Sequence, residues 1–344
     1  MNEEEKIVEQ NEAAPQAAEA ACETRAETND ETAEQFSFDK LKPKIKPIWK
    51  VLFLVFLLGC IAVSLYFSFN ALSLDMYEYS EKDGGWQLTG FHTDSSEENK
   101  VVRIDYVMEK HGVVWEKNEE KPITSVKKYA FCCDNDVEII YIGKTVTEIE
   151  ELAFYSCKNL QAVLVDPENP AYLSENGILY NKDKTELILF PISYVDYAEN
   201  TLVKTTGEEK TMEYTLPETV ERIGALGFAY AKGLTKVTLP QNLKSLGTLA
   251  FFRCESLGEI HLPKGLTTIG SDAFSYCKKL TYIYIPASVT EIGHHAFYEC
   301  TGLTEIDVER SKAEFKNVDL GDYWENVGLL KSIAIRYEQP EASR

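Results

Sequence analysis

The sequence predicts a mostly β or α/β solenoid, set behind a single transmembrane helix and a disordered N-terminal tail. Three observations carry that prediction. A 23-residue phrase repeats without a break from Pro217, Pro240, Pro263 and Pro286. Each copy ends in a short apolar alternation with the two-residue period of a strand. Residues 51–74 form a 24-residue stretch with no charged side chain. Strict periodicity of this length means one supersecondary unit per copy, because a single unit cannot bury its own apolar face and must stack on its neighbours. A stack offers a long surface rather than a deep cleft, which favours binding over catalysis.

The copy at Pro263 reads PKGLTTIGSDAFSYCKKLTYIYI. Counted from its proline, apolar residues fall at +3, +6, +11, +17, +20 and +22: Leu266, Ile269, Phe274, Leu280, Ile283 and Ile285. The last three form L-x-x-I-x-I, the strand signature of leucine-rich repeats. Ile283 and Ile285 alternate with Tyr282 and Tyr284, so the isoleucines point inward and the tyrosines outward. Gly224, Gly247, Gly270 and Gly293 recur at +7 and predict a corner with a backbone angle that other residues resist. Phe228, Phe251, Phe274 and Phe297 recur at +11 and predict an internal aromatic ladder.

Two further copies start upstream, at Gly143 and, more weakly, at Glu120; six copies give 138 residues. The repeats are expected over residues 120–337, interrupted by an insertion at 166–216. Within it, apolar runs at 178–180 and 187–190 flank a polar turn. They predict a β-hairpin that leaves the regular stack, either as a binding loop or as an elaboration of one coil. Open stacks need covers. GGWQLTGF and KVVRIDYV supply candidate strands of an N-terminal cap over residues 75–119. Register is lost from Glu309, and Leu330, Ile333 and Ile335 restore one last strand, which predicts a C-terminal cap over 309–337 and a short tail at 338–344.

The phrase IGxxAFxxCxxLTxIxIP, with the insert NGILYNKDKTELILFP, resembles the BspA-like leucine-rich repeats over about residues 76–337. The resemblance implies a right-handed curved solenoid with one short strand per coil, displayed mostly on bacterial cell surfaces and associated with adhesion and protein recognition. It implies no catalytic residues and no cofactor. The chain departs from the pattern at Ala231 for cysteine, Gly227 for alanine and Glu150 for glycine.

Residues 47–74 are expected to form the membrane helix, since about 20 apolar residues span a bilayer. Lys40, Lys42, Lys44, Lys46 and Lys50 precede the span, and Asp75, Glu78 and Glu81 follow it. The positive-inside rule then makes the protein a single-pass plasma-membrane protein, with a cytoplasmic N-terminus and extracellular repeats. A rival reading takes residues 57–60, Leu-Leu-Gly-Cys, as a lipobox cut before Cys60. Against it, apolar sequence continues well beyond Cys60, and the stretch is longer than a signal's 7–15 apolar residues. Residues 1–46 form a tail with a basic flank. Its first 39 residues carry twelve acidic and two basic groups and few large apolar ones, a composition that cannot drive folding. That tail is a possible contact for a cytoplasmic partner. Removing its −10 and the flank's +5 from the chain's −21 leaves an exterior charge of −16, which argues against nucleic-acid binding.

Cys157, Cys254, Cys277 and Cys300 share offset +14 and predict a ladder of buried thiols. Adjacent Cys132 and Cys133 lie off register, with a vicinal disulfide or a pairing elsewhere left open. No C-x-x-C pair supports a zinc site. His294 and His295 fall at repeat positions occupied elsewhere by Ser271, Asp272, Thr248 and Leu249, as expected of exposed turn residues. No hydrolase, zincin, P-loop or dinucleotide motif is present, so no enzyme, metal or cofactor is expected.

Recognition is therefore expected on the concave strand face, at +19 and +21. Tyr282, Tyr284 and His261 are predicted to cluster there, flanked by Glu259, Glu305 and Asp307; tyrosine is enriched at binding hot spots, although it also simply suits exposed strands. Tyr141, with Ile139, Ala162 and Leu164, marks the N-terminal end of the same face, either as a recognition patch or as a surface covered by the insertion. The expected function is a membrane-anchored extracellular protein that binds a protein or glycan ligand, an adhesion-type role. The alternatives are a structural envelope component, or a sensor or assembly factor acting through the cytoplasmic tail.

Overall fold

The computed structural model describes residues 77–91, 101–111, 114–132, 134–193, 201–206, 209–324 and 333–338. The expected tail, membrane helix, lipobox and Cys133 lie outside these residues. Among the described residues, no helix is long and apolar enough to cross a membrane. They are mostly β, and the helix Lys312–Phe315 is one turn long.

Each regular coil contributes two strands, not the single short one implied by the resemblance. The first is a two-residue strand at +5 and +6: Arg222–Ile223, Ser245–Leu246, Thr268–Ile269 and Glu291–Ile292 pair in parallel, coil on coil. The second is the expected strand at +19 to +22. Tyr282–Ile285 pairs in parallel with Glu305–Val308, which pairs with Ala334–Tyr337. Ile283 and Ile285 are buried, while Tyr282 is exposed and Tyr284 half-buried, as the period-2 alternation requires.

The +7 glycines are needed for a different reason from the expected one. None of the four has a positive φ. They sit where successive coils come closest. A Cβ on Gly247 would lie 2.8 Å from the carbonyl carbon of Gly224, and one on Gly270 would lie 2.6 Å from that of Gly247. That proximity lets each glycine N–H donate to the +6 carbonyl of the preceding coil, as in Gly247 to Ile223 at 2.8 Å and Gly293 to Ile269 at 2.8 Å. The left-handed residues stand instead at +9 and +13, and none is glycine. Leu226, Leu249, Asp272 and His295 occupy the first position, Tyr230, Arg253, Tyr276 and Glu299 the second. Each costs about 1–2 kcal/mol of backbone strain. The return is orientation: around these corners, alternate N–H groups point to the following coil. In one coil Leu249 donates to Ser271 at 2.9 Å, Phe251 to Ala273 at 2.7 Å and Arg253 to Ser275 at 2.9 Å.

The phenylalanine ladder forms as expected. Phe228, Phe251, Phe274 and Phe297 stack within 3° of parallel at centroid spacings of 5.1, 5.3 and 5.5 Å. Truncating one such ring forfeits about 3–5 kcal/mol. The ladder also recruits Phe190 from the insertion, 5.0 Å from Phe228, and ends on Trp324. A second ladder was not anticipated. Tyr129, Tyr155, Tyr230, Phe252, Tyr276 and Tyr298 meet edge to face, each pair within 10° of perpendicular. The edge-to-face arrangement suits the ring quadrupole.

The described residues of 166–216 stay in the stack. Ile178–Asn181 and Glu186–Leu189 do form the expected antiparallel hairpin. However, Glu186–Leu189 pairs in parallel with Arg222–Ile223, and Glu209–Thr215 pairs in parallel with Leu234–Thr238. Ile178, Tyr180, Leu187 and Phe190 are buried in the common core. The segment is thus an irregular coil, because its apolar side chains are worth more inside the ladder than in a projecting loop. At the C-terminal end, Asp319–Leu320 extends the short-strand ladder, and Phe315 and Trp324 cover the last phenylalanine. At the other end, Val101–Ile104 pairs in parallel with Ile139–Ile142, and Phe91 packs on Phe131.

The four in-register cysteines are fully buried. Each thiol donates to the +11 carbonyl of the preceding coil: Cys157 to Phe131 at 3.0 Å, Cys254 to Phe228 at 3.1 Å, Cys277 to Phe251 at 3.2 Å and Cys300 to Phe274 at 2.9 Å. Burial pushes the Cys254 and Cys277 thiols well above their usual range. A thiol-directed maleimide applied to the native full-length protein is therefore expected to label half-buried Cys132 and to spare these four until denaturant is added, as read by peptide mass mapping. Native-state labelling of Cys254 or Cys277 would contradict the buried ladder.

The glycine argument has its own test. Gly270→Ala places a methyl against backbone and is expected to cost about 1–3 kcal/mol. Gly258→Ala, whose nearest neighbour would be 3.9 Å away, is expected to shift stability by no more than about 0.5 kcal/mol. Urea unfolding followed by tryptophan fluorescence separates the two, and equal midpoints would show that coil spacing is not what the glycine column serves.

Candidate functional site

The outward positions of the long strands line up as columns because parallel pairing keeps them in register. At the N-terminal end Val101, Ile139 and Ala162 form one column and Arg103, Tyr141 and Leu164 the other. Ala162 is covered by Gly177 of the insertion, whose carbonyl accepts from Val163 N–H at 2.8 Å. Leu164 and Val101 stay exposed, at 43% and 57%. The insertion thus covers part of that apolar group and leaves the rest. Tyr141 is held on both sides: its hydroxyl donates to Asp166 at 2.7 Å, and Arg103 stacks 4.1 Å above its ring. The phenol's hydrogen bond, followed by the Glu168 N–H, keeps the Asp166 carboxyl below its ordinary pKa.

In the middle, Glu213, Lys236 and Glu259 occupy one column. Glu259 Oε1 lies 3.1 Å from Lys236 Nζ and 2.9 Å from His261 Nε2, so one carboxylate serves both side chains and its pKa is lowered by both. Beyond this strand the long-strand ladder is interrupted. Glu259–Ile260 and Tyr282–Ile285 belong to separate sheets. At +18, Thr235 and Thr304 donate hydroxyls to Met212 and Thr281 of their preceding coils, at 3.0 and 3.1 Å. A groove of about 350 Å³ lies between this strand and the preceding one, at their C-terminal ends, lined by Val237, Leu239, His261 and Leu262.

At the C-terminal end, Tyr282, Glu305 and Ala334 form one column and Tyr284, Asp307 and Arg336 the other. The contacts run diagonally between columns. Tyr282 Oη donates to Asp307 Oδ2 at 3.0 Å, and Arg336 pairs with Glu305. Burial, then the Glu309 carboxylate beside it, raises the Tyr284 phenol to about 12. Asp307 Oδ1 is buried and accepts no hydrogen bond.

The expected aromatic cluster is therefore divided. His261 turns to Glu259 and Lys236, while Tyr282 and Tyr284 turn to the acids of the following coil; no ring contact joins His261 to either tyrosine. Glu305 is engaged by Arg336 rather than flanking the tyrosines as a free charge. Tyr141 stands apart at the other end. Lys236 was legible as a partner, since it shares a column with Glu259 one coil away. Asp166, Glu309 and Arg336 lay outside the regular phrase and had no such signal.

His294 and His295 are half-buried rather than exposed. His294 Nδ1 accepts from the Asp322 N–H at 2.8 Å, and His295 stacks on Tyr323 at 5.6 Å. Both tie the last regular coil to the C-terminal segment. Among the described residues, no group of three or more His, Cys, Asp or Glu is arranged to hold a metal ion.

The family comparison agrees with this geometry. The BspA type leucine rich repeat region matches in 6 copies over residues 124–206 and 206–318, more than half of the chain. No curated protein matches. Similar solved structures include a leucine-rich repeat protein from Eubacterium ventriosum, at 21% identity and TM-score 0.45, covering 69% of this chain and 77% of that one. A leucine rich cell surface protein from Faecalibacterium prausnitzii aligns at 17% identity and TM-score 0.37, covering 78% and 94%. The pneumococcal vaccine antigen PcpA aligns at 14% identity and TM-score 0.40, covering 78% and 98%. With the repeat phrase, the paired coils and the family match in agreement, the chain belongs to the BspA-type leucine-rich repeat family.

Proposed function

We propose that this is a membrane-anchored extracellular recognition protein that binds a protein or glycan ligand through its long-strand face, in an adhesion-type role. Membership of a leucine-rich repeat family supports a binding role without catalysis. The observation that carries the choice of face is Tyr282. It is a large aromatic side chain, 40% exposed, whose hydroxyl is fixed on Asp307. A phenol held in place loses little rotamer freedom when a ligand covers it, and that is the property of a hot-spot residue. Tyr284, His261, Glu259, Glu305, Asp307 and, at the far end, Tyr141 complete the proposed contact surface. Anchoring rests on the uncharged stretch 51–74 and its lysine flank. The exterior charge of −16 disfavours nucleic acid and favours a ligand with basic or neutral hydroxylated groups. The acidic tail supports a second reading, in which a cytoplasmic partner reads the state of the exterior.

The test uses full-length protein in detergent micelles, applied to a glycan array and to envelope and extracellular-matrix proteins. Parent protein is compared with Tyr282→Ala, Tyr284→Ala, His261→Ala and with Tyr282→Phe. A ligand of this face is expected to lose at least about 30-fold in affinity to the triple variant, as for a hot spot worth 2 kcal/mol or more. Tyr282→Phe is expected to fall between parent and triple variant, because it keeps the ring and loses its anchor. Unchanged capture by a folded triple variant would remove the long-strand face from the proposal. Absence of any ligand, together with a phenotype on deleting residues 1–39, would favour the tail-based reading.

A further inference from the structure

The short-strand side of the stack contains a notch with a definite structural origin. In a regular coil five steps lead from the +6 residue to the ladder ring, as from Ile223 to Phe228. In the irregular coil, Leu187 pairs with Ile223 and Phe190 packs on Phe228, yet only three steps separate them. The corner is cut short by two residues. The bonds common to both paths survive: Gly224 N–H donates to Leu187 at 2.8 Å, and Phe190 N–H donates to Gly227 at 2.7 Å. The bonds belonging to the missing corner do not. Among the described residues, the N–H groups of Leu152 and Phe154 on one wall donate to nothing, and the carbonyl of Ala225 on the other accepts nothing. Between the walls lies a cavity of about 330 Å³, with Leu189 and Tyr172 in its lining.

The rim is acidic in excess. Arg222 is shared between Glu186, at 3.1 Å, and Glu151, at 3.3 Å, so two carboxylates face one cation. Glu150, also in the lining, is already held by Lys82, Gln87 and the Lys128 N–H. Main-chain donors on one wall and an acceptor on the other match the two edges of an extended polypeptide. The unbalanced carboxylate matches one positive side chain.

We propose that this notch binds a short extended peptide segment bearing a lysine or arginine, whose backbone stands in for the missing corner. Its carbonyl accepts from Leu152 N–H, its N–H donates to Ala225, and its basic side chain reaches Glu151 and Glu186. The cavity lies in the size range of small-ligand sites and is independent of the long-strand face.

The experiment measures fluorescence anisotropy of full-length protein with three labelled pentapeptides: an alanine host with central lysine, the same host with central glutamate, and the lysine peptide N-methylated at the lysine amide. The lysine peptide is expected to bind about ten-fold more tightly than the glutamate peptide, the scale of one lost charge-assisted hydrogen bond, and about five-fold more tightly than the N-methylated peptide, the scale of one lost neutral bond. Ala225→Trp fills the notch and is expected to lower that affinity by at least the same about ten-fold factor. If its urea midpoint falls, the Glu151→Gln, Glu186→Gln variant replaces it and is expected to abolish the preference for lysine over glutamate. Tyr282→Ala is expected to bind the peptide as the parent does. Equal binding of lysine and glutamate peptides, insensitivity to both notch variants, or no binding by any probe would overturn the proposal; the last outcome would leave a notch filled by water alone.

Discussion

The spacing between coils is the constraint from which most of this structure follows. Two sets of backbone bonds on adjoining segments of each coil enforce it, and they run in opposite senses. At +7 the glycine N–H points down to the preceding coil, while around the left-handed corners the N–H groups at +9, +11 and +13 point up to the next. A coil clamped from both sides cannot slip by a residue without breaking both sets of bonds. The spacing excludes a Cβ at +7, brings the ladder rings to about 5 Å, and sets each thiol within reach of one carbonyl of the coil below. Glycine, phenylalanine and cysteine recur together because one distance demands all three. Ala231 illustrates the order of importance: the coil keeps its fold without the thiol, since a sulfur-to-carbonyl bond adds little beside the backbone ladders.

The same clamp frees the outward positions. Residues at +19 and +21 are placed by the core and bear almost none of its load, so their chemistry varies from coil to coil while their geometry does not. What they share is neutralisation along and across columns. Lys236 with Glu259, Arg336 with Glu305 and Arg103 over Tyr141 all join neighbouring coils or neighbouring positions on one strand face. Exposed pairs of this kind contribute little to stability. Their effect is to hold side chains still, which matters more for recognition than for folding.

Much of this was legible in the sequence because the governing period is short and strict. Offsets +6, +11, +14 and +20 are buried in every regular copy, and the alternation around Ile283 assigns inside and outside correctly. Three features were hidden for identifiable reasons. The glycine column signals a special backbone, but sequence cannot distinguish a forbidden φ from a forbidden Cβ. The edge-to-face ladder takes its rings from +12 and +13, as in Phe252 and Tyr276, and its first ring, Tyr129, from +9, so it has no fixed offset within one repeat. The irregular coil shows its hairpin locally, whereas its place in the stack depends on Leu187 meeting Ile223, 36 positions away.

Irregularity is therefore where this fold acquires individuality. A perfect stack satisfies every main-chain group internally and offers a ligand only side chains. At the shortened corner before Phe190, bonds present elsewhere in the pattern are not made, and a cavity opens. Unmade backbone bonds carry a cost that water meets only in part. Such sites are tolerable only because the coils on both sides are over-determined by two ladders and a filled core. In a small globular domain the same omissions would compete directly with a stability of a few kcal/mol. In a solenoid the loss stays local, since each coil contacts only its neighbours. Near-identical coils thus provide the rigidity, and the shortened corner is the departure from identity that leaves main-chain groups without a partner inside the protein.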